Sequence, residues 1–306
     1  MKTRIILAVF LLFIGCSGTH NGVFKTSGKT ITVHLASVNN NVCKKLYGHT
    51  VLYAVFVDTK ETKPWSEYDI LSTLDSIKKA AAWLELQAKK QNILLEIEID
   101  YPKNHEKIPV ALDFPKKTLS ATLFQHNLSL GVRAINNWSD KLSTSVAKTL
   151  PPDTSKIIAT RNTMNSKERL IARLRDIYKT DNVALLFFIN NYYKEEMSVT
   201  FNTNSSTNIE YSIVSFKQPS VIAHEFLHLF GAWDLYITPF ESRKKEIAKK
   251  EFAMKEFPNE IMAFAYRNID SLEISPFTRY CIGWDKQLDK KYTDMILGKN
   301  LVPAKY

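Results

Sequence analysis

The order of periodic segments in this chain of 306 residues predicts an α/β fold. Two observations lead there. Strand-like and helix-like patterns alternate along the first two thirds of the sequence. One strand candidate, residues 183–189 (VALLFFI), is apolar throughout, as a strand covered on both faces must be. At 45% hydrophobic and 24% charged residues the chain has the means to bury a core, and its length suits one large domain or two modest ones.

Residues 30–35 alternate apolar and polar side chains, and residues 51–57 are apolar and β-branched; both read as strands. Pro64 and Ser66 then open a long helix with Ser66 as N-cap. Its apolar side chains Tyr68, Leu71, Leu74, Ile77, Ala81 and Leu84 recur at spacings of three and four. Residues 93–101 alternate from Leu95 onward, which predicts a half-buried strand. Between 102 and 165 the pattern is mixed, with residues 108–114 and 127–133 reading as extended. Ser166 opens a further helix to about Lys179, with Leu170, Ile171, Leu174 and Ile177 on one face. Residues 198–202 and 209–216 flank the polar run 204–208 (NSSTN) as a hairpin. Pro219-Ser220 precede an apolar helix, the Lys-rich stretch 244–255 reads as a solvated amphipathic helix, and Ser275-Pro276-Phe277 begin a last helix reaching past Cys281.

The first residues read as an export signal. Lys2 and Arg4 precede ten apolar residues, 5–14, too few for a membrane-spanning helix, which needs about twenty. They end in Phe13-Ile14-Gly15-Cys16, which resembles a bacterial lipobox, although that pattern favours Leu where Phe13 stands. Residues 17–29, rich in Gly, Ser, Thr and Asn, would then be a tether. The expectation is an exported lipoprotein of the cell envelope, held to the membrane by lipid on Cys16; cleavage near Gly15 with Cys16 as a bystander is the alternative. The remaining Cys43 and Cys281 are an even pair for an oxidising compartment, and whether they join stays open. Removing Lys2 and Arg4 takes the formal charge from +10 to +8. With no recognition motif and an exported chain, nucleic acid is excluded as a partner. Oligomeric state leaves no trace in the sequence.

The chemistry is concentrated in residues 221–236, VIAHEFLHLFGAWDLY. Histidines four apart on a helix project from one face about a turn apart, so His224 and His228 can share an ion. Glu225 stands one step round, within reach of a water beside that ion. Gly231 can end the helix at positive φ, and Asp234, three residues on, can return as a third ligand. HExxH arises by chance in roughly one sequence in a hundred of this composition, and the added Gly and Asp make it far rarer. A core helix is the bland alternative, but it has no use for two His and a Glu on its most buried stretch.

His224-Glu225-x-x-His228-x-x-Gly231-x-x-Asp234 resembles the zinc signature of the metzincin metallopeptidases, closest to the snapalysin-like form in which Asp replaces the third His. The resemblance implies a twisted, mostly parallel sheet with helices over about residues 30–230, the active-site helix, and a small, mainly helical subdomain over about 231–306. It implies Zn²⁺ as cofactor, a protein or peptide as substrate, and Glu225 as general base for peptide-bond hydrolysis. It also implies a methionine turn, for which Met262 in Pro258-Asn-Glu-Ile-Met-Ala-Phe-Ala-Tyr266 is the candidate. Some metzincins carry a Tyr two places after that Met; here Phe264 stands there, and Tyr266 is the nearest hydroxyl for a transition state. Residues 209–216 are implied as the edge strand that pairs with substrate. Two other readings stay open: a gluzincin-type site with Glu260 as third ligand, and a zinc-binding module without catalysis.

Overall fold

The structure is a computed structural model that describes residues 5–6, 9–11, 45–102, 109–113, 128–152, 166–190, 197–203, 209–237 and 244–297. The lipobox and tether, the strand expected at 30–35, and Cys43 lie outside them. Its strands are β1 (Ile5–Ile6), β2 (Val9–Leu11), β3 (Gly48–Asp58), β4 (Leu95–Asp100), β5 (Val110–Ala111), β6 (Asn182–Ile189), β7 (Met197–Thr203) and β8 (Tyr211–Val214). The helices that matter below are α1 (Glu67–Lys90), α2 (Leu128–Ala147), α3 (Ser166–Tyr178), α4 (Pro219–Leu229), α5 (Lys244–Glu256), α6 (Ile261–Phe264) and α7 (Pro276–Cys281).

The fold is α/β, with a mixed sheet of mostly parallel strands in the order β1-β7-β8-β6-β3-β4. β3 is its spine: residues 51–57 are all buried, with β4 parallel on one side and β6 parallel on the other. The apolar run 183–189 is likewise buried throughout. β7 and β8 form the expected antiparallel hairpin, and β1 and β2 run parallel to the outer flank of β7. Strand alternation assigns the two faces. Tyr211 meets Phe187 edge-on, and Phe187 meets Trp138 of α2, whereas the next residue, Ser212, reaches the backbone of α4. The sheet therefore lies between α2 and α3 on one face and α1 and α4 on the other.

Local chemistry explains the long helix. Ser66 Oγ accepts from Asp69 N (3.1 Å) and the Asp69 carboxylate accepts from Ser66 N (3.4 Å), a capping box at the start of α1. Its buried stripe is Ile70, Leu74, Ile77, Ala81, Leu84 and Ala88, which corrects the expectation at two positions. Tyr68 and Leu71 are exposed. Tyr68 stands about two and a half turns from Ile77, on the opposite face.

Three further expectations are corrected. Residues 127–133 do not extend: α2 begins at Leu128, because the stripe that matters, Ile135, Trp138, Leu142 and Val146, lies downstream at helical spacing. Residues 109–113 carry only the two-residue β5. Residues 209–216 are not an edge, since β8 is hydrogen-bonded to β6 on one side and β7 on the other. Cys281 is buried with a free thiol. The Lys-rich stretch forms α5 as expected, burying only Ala253. No helix among the described residues is long and apolar enough to cross a membrane.

The C-terminal part folds back on the entry to the sheet. Leu46 N donates to Ile282 O (3.0 Å), and Trp284 Nε1 donates to the carbonyl of Leu46.

Candidate metal centre

α4 starts with Pro219 at its first turn, where a missing N–H costs nothing, and ends after Leu229. Gly231 N donates to His228 O (3.0 Å) and Ala232 N to Leu227 O (3.1 Å), the paired bonds of a glycine-terminated helix. Gly231 adopts φ +97°, and a Cβ there would meet Cys281 O at 3.2 Å. The chain turns back at this point, and Asp234 faces the two histidines.

The three side chains converge. His224 Nε2 lies 3.0 Å from His228 Nε2, and Asp234 Oδ1 lies 3.2 Å and 3.1 Å from those two nitrogens. Ligand atoms about 2.0–2.1 Å from one tetrahedral ion are about 3.3 Å apart, so the triangle fits such an ion to within a few tenths of an ångström. Among the described residues, this is the one group of His, Cys, Asp and Glu side chains gathered closely enough to hold a metal. Both imidazoles are buried completely.

The outer nitrogens are already committed. His224 Nδ1 faces Ile261 O at 3.2 Å and His228 Nδ1 faces Ala232 O at 2.8 Å. A carbonyl only accepts, so each Nδ1 carries a proton, and in the neutral imidazole each Nε2 presents a lone pair. In that state one proton can bridge two of the three acceptors but never all three; a cation at their centre meets them all. Without a metal, the carboxylate and the imidazoles shift one another's protons. Burial opposes charge on Asp234, but His228 and His224 prevail and hold its carboxyl well below the usual range. Burial also presses His228 down, yet the Asp234 carboxylate outweighs it and the imidazole is pushed up. His224 goes down, through burial and the neighbouring His228.

Glu225 is fully buried beside them. Its Oε2 accepts from Thr200 Oγ1 of β7 at 2.6 Å, while Oε1 makes no hydrogen bond within the protein. Burial raises its pKa to about 8, against the opposing pull of His228 and the Thr200 hydroxyl.

Met262 is fully buried in α6, and its carbonyl accepts from Leu235 N (3.0 Å), next to Asp234. The turn around it thus holds His224 through Ile261 and the Asp234 segment through Met262. Glu260 does not join the ligand trio. Oε1 accepts from Met262 N (3.0 Å) and Thr278 Oγ1 (3.0 Å), and Oε2 from Ser275 N (2.5 Å), so the carboxylate braces the turn against α7. Tyr266 packs edge-on against Phe216 (5.5 Å between ring centres) in a small cluster with Val221, Ala265 and Tyr236.

Tyr236 escaped the sequence reading, which stopped at Asp234. Its hydroxyl bonds the Asp234 carboxylate, and its ring centre lies 6.2 Å from that of His224. Burial, then the Asp234 and Glu225 charges, hold the phenol protonated. The signal was a Tyr two residues after the third candidate ligand.

No protein-family model, no curated protein and no solved structure matches this chain.

Proposed function

We propose that the chain is a zinc-dependent endopeptidase of metzincin type, with His224, His228 and Asp234 as metal ligands and Glu225 as general base. One observation carries the reading. Three acceptor atoms, two of them fixed by proton-donating Nδ1 groups, face one another at 3.0–3.2 Å beside a buried carboxylate with one oxygen unengaged. Zn²⁺ held there supplies Lewis acidity, polarising a peptide carbonyl and drawing the pKa of a water towards about 7.

The protein's own groups do the rest. Glu225 Oε1 takes the proton of the attacking water and hands it to the leaving amine. Glu225 is buried and its Oε1 makes no hydrogen bond within the protein, so that oxygen is left for both transfers. Tyr236 keeps its proton and orients Asp234. Met262 lies in the turn that holds both the Asp234 segment and His224, as a methionine turn does. Tyr266 belongs to the aromatic wall beside α4. Glu260, with both oxygens engaged elsewhere, supports Asp234 rather than itself as third ligand.

The test is metal analysis of the purified chain with cleavage of a mixed peptide library. We expect one zinc per chain, lost in Asp234→Ala and kept in Glu260→Ala provided that variant folds, and cleavage absent in Glu225→Ala. Folded protein that binds no zinc sinks the reading. Zinc with no cleavage above Glu225→Ala leaves a binding module. The proposal extends to an exported lipoprotein anchored at Cys16, whose processing would remove the segment that carries β1 and β2 and leave the outer flank of β7 without them. Substituting Cys16→Ser should move the protein from the membrane fraction to the soluble one, and no change in partition would remove the anchor.

A further inference from the structure

Thr200 and Ser212 are register partners on the antiparallel strands β7 and β8. Both are buried, and their hydroxyls point at α4. Thr200 Oγ1 lies 2.6 Å from Ser212 Oγ, 2.6 Å from Glu225 Oε2 and 3.1 Å from the Glu225 carbonyl. Ser212 Oγ lies 3.2 Å from that same carbonyl. Each hydroxyl owns one proton. In the ionised form that can act as a base, the Glu225 carboxylate offers none, so in that form the short contact to Oε2 takes the Thr200 proton. Thr200 Oγ1 is then left as an acceptor, and the short Thr200–Ser212 contact takes the proton of Ser212. The Glu225 carbonyl already serves the helix ladder and needs neither of them.

We infer that Thr200, backed by Ser212, is a positioning residue for Glu225. Two hydroxyls on neighbouring strands fix Oε2, so that Oε1 alone is left to work on a water. The inference rests on the hydrolase reading for its consequence but not for its geometry. The pair lies where the sheet passes beneath α4. The device needs the hairpin in its present register: a slip of one residue would send both hydroxyls to the other face of the sheet.

The experiment has two arms. Thr200→Val keeps the β-branched shape and removes the hydroxyl; Thr200→Ser keeps the hydroxyl. In the first arm, thermal unfolding of the metal-free chain is measured for Thr200→Val, Glu225→Ala and the double variant. We expect Thr200→Val to lower Tm by about 3 °C more when Glu225 is present than when it is Ala. Additive shifts overturn the inference. In the second arm, zinc content and peptide cleavage are followed. We expect Thr200→Val to keep its zinc and its KM while kcat falls about 10- to 100-fold, with Thr200→Ser restoring most of it. Unchanged kcat in Thr200→Val also overturns it. If the wild type binds zinc but cleaves nothing beyond Glu225→Ala, the hydrolase reading has failed, and the thermal cycle still decides whether Thr200 holds the carboxylate.

Discussion

Glu225 and Glu260 are both buried, and they are satisfied in opposite ways. Glu260 spends both oxygens on three donors, from Met262, Ser275 and Thr278. Glu225 spends one oxygen on Thr200 and keeps the other unengaged. Burial raises the pKa of both, but only Glu260 meets that burial with a full set of donors. A saturated carboxylate is a brace. A half-saturated one, beside a converging set of acceptors, is buried at some cost to the folded state, a cost that the proposed role as general base would explain.

The comparison can be broken most decisively at Glu225. Glu225→Gln should lower peptide cleavage by at least about 100-fold, through loss of the general base, while bound zinc stays at the wild-type level. A variant that still cleaves would make Glu225 no more a working group than Glu260. The second largest effect belongs to Glu260→Ala, which strands three buried donors. It should cost about 3 kcal/mol or more in chemical denaturation, and a midpoint equal to wild type would show that the brace carries no load.

A pH series sharpens the contrast. In the metal-free protein the folded state holds the Glu225 proton more tightly than the unfolded chain does, because the carboxyl is raised from 4.5 to about 8. The stability tied to that proton is complete below about pH 4.5 and is lost as pH rises through about 8. Subtracting the profile of Glu225→Gln from that of the wild type should expose this decline, and a flat difference would contradict it. The smallest effect is expected at Gly231→Ala. The strained positive φ and the Cys281 carbonyl at 3.2 Å should together cost about 1–3 kcal/mol, with some loss of zinc as Asp234 shifts. Unchanged stability would mean that the turn has room to relax.

What was legible in the sequence was what local periodicity encodes. The helix carrying His224 and His228, the capped α1 and the apolar β6 follow from spacings within each segment. So does the return of Asp234 after Gly231, because three residues are too few for the chain to go elsewhere. What was illegible depends on which strand lies beside which. Thr200 is an ordinary polar residue in a hairpin until the register sets it opposite Ser212 and the sheet passes under α4. Residues 209–216 were read as an edge because a strand's neighbours are not written in its own composition. α2 was missed because the short alternating stretch at its start masked the longer helical stripe that follows. Glu260 stood open as a ligand in the gluzincin-type reading, whereas its donors include Ser275 and Thr278, brought near by the return of the chain.

The clasp between Trp284 and Leu46 ties the last fifth of the chain to the doorway of the first core strand. A contact spanning 238 positions of sequence closes a long loop for little local reward, so the start of β3 is sealed late in folding, after the local helices and the β7–β8 hairpin have formed.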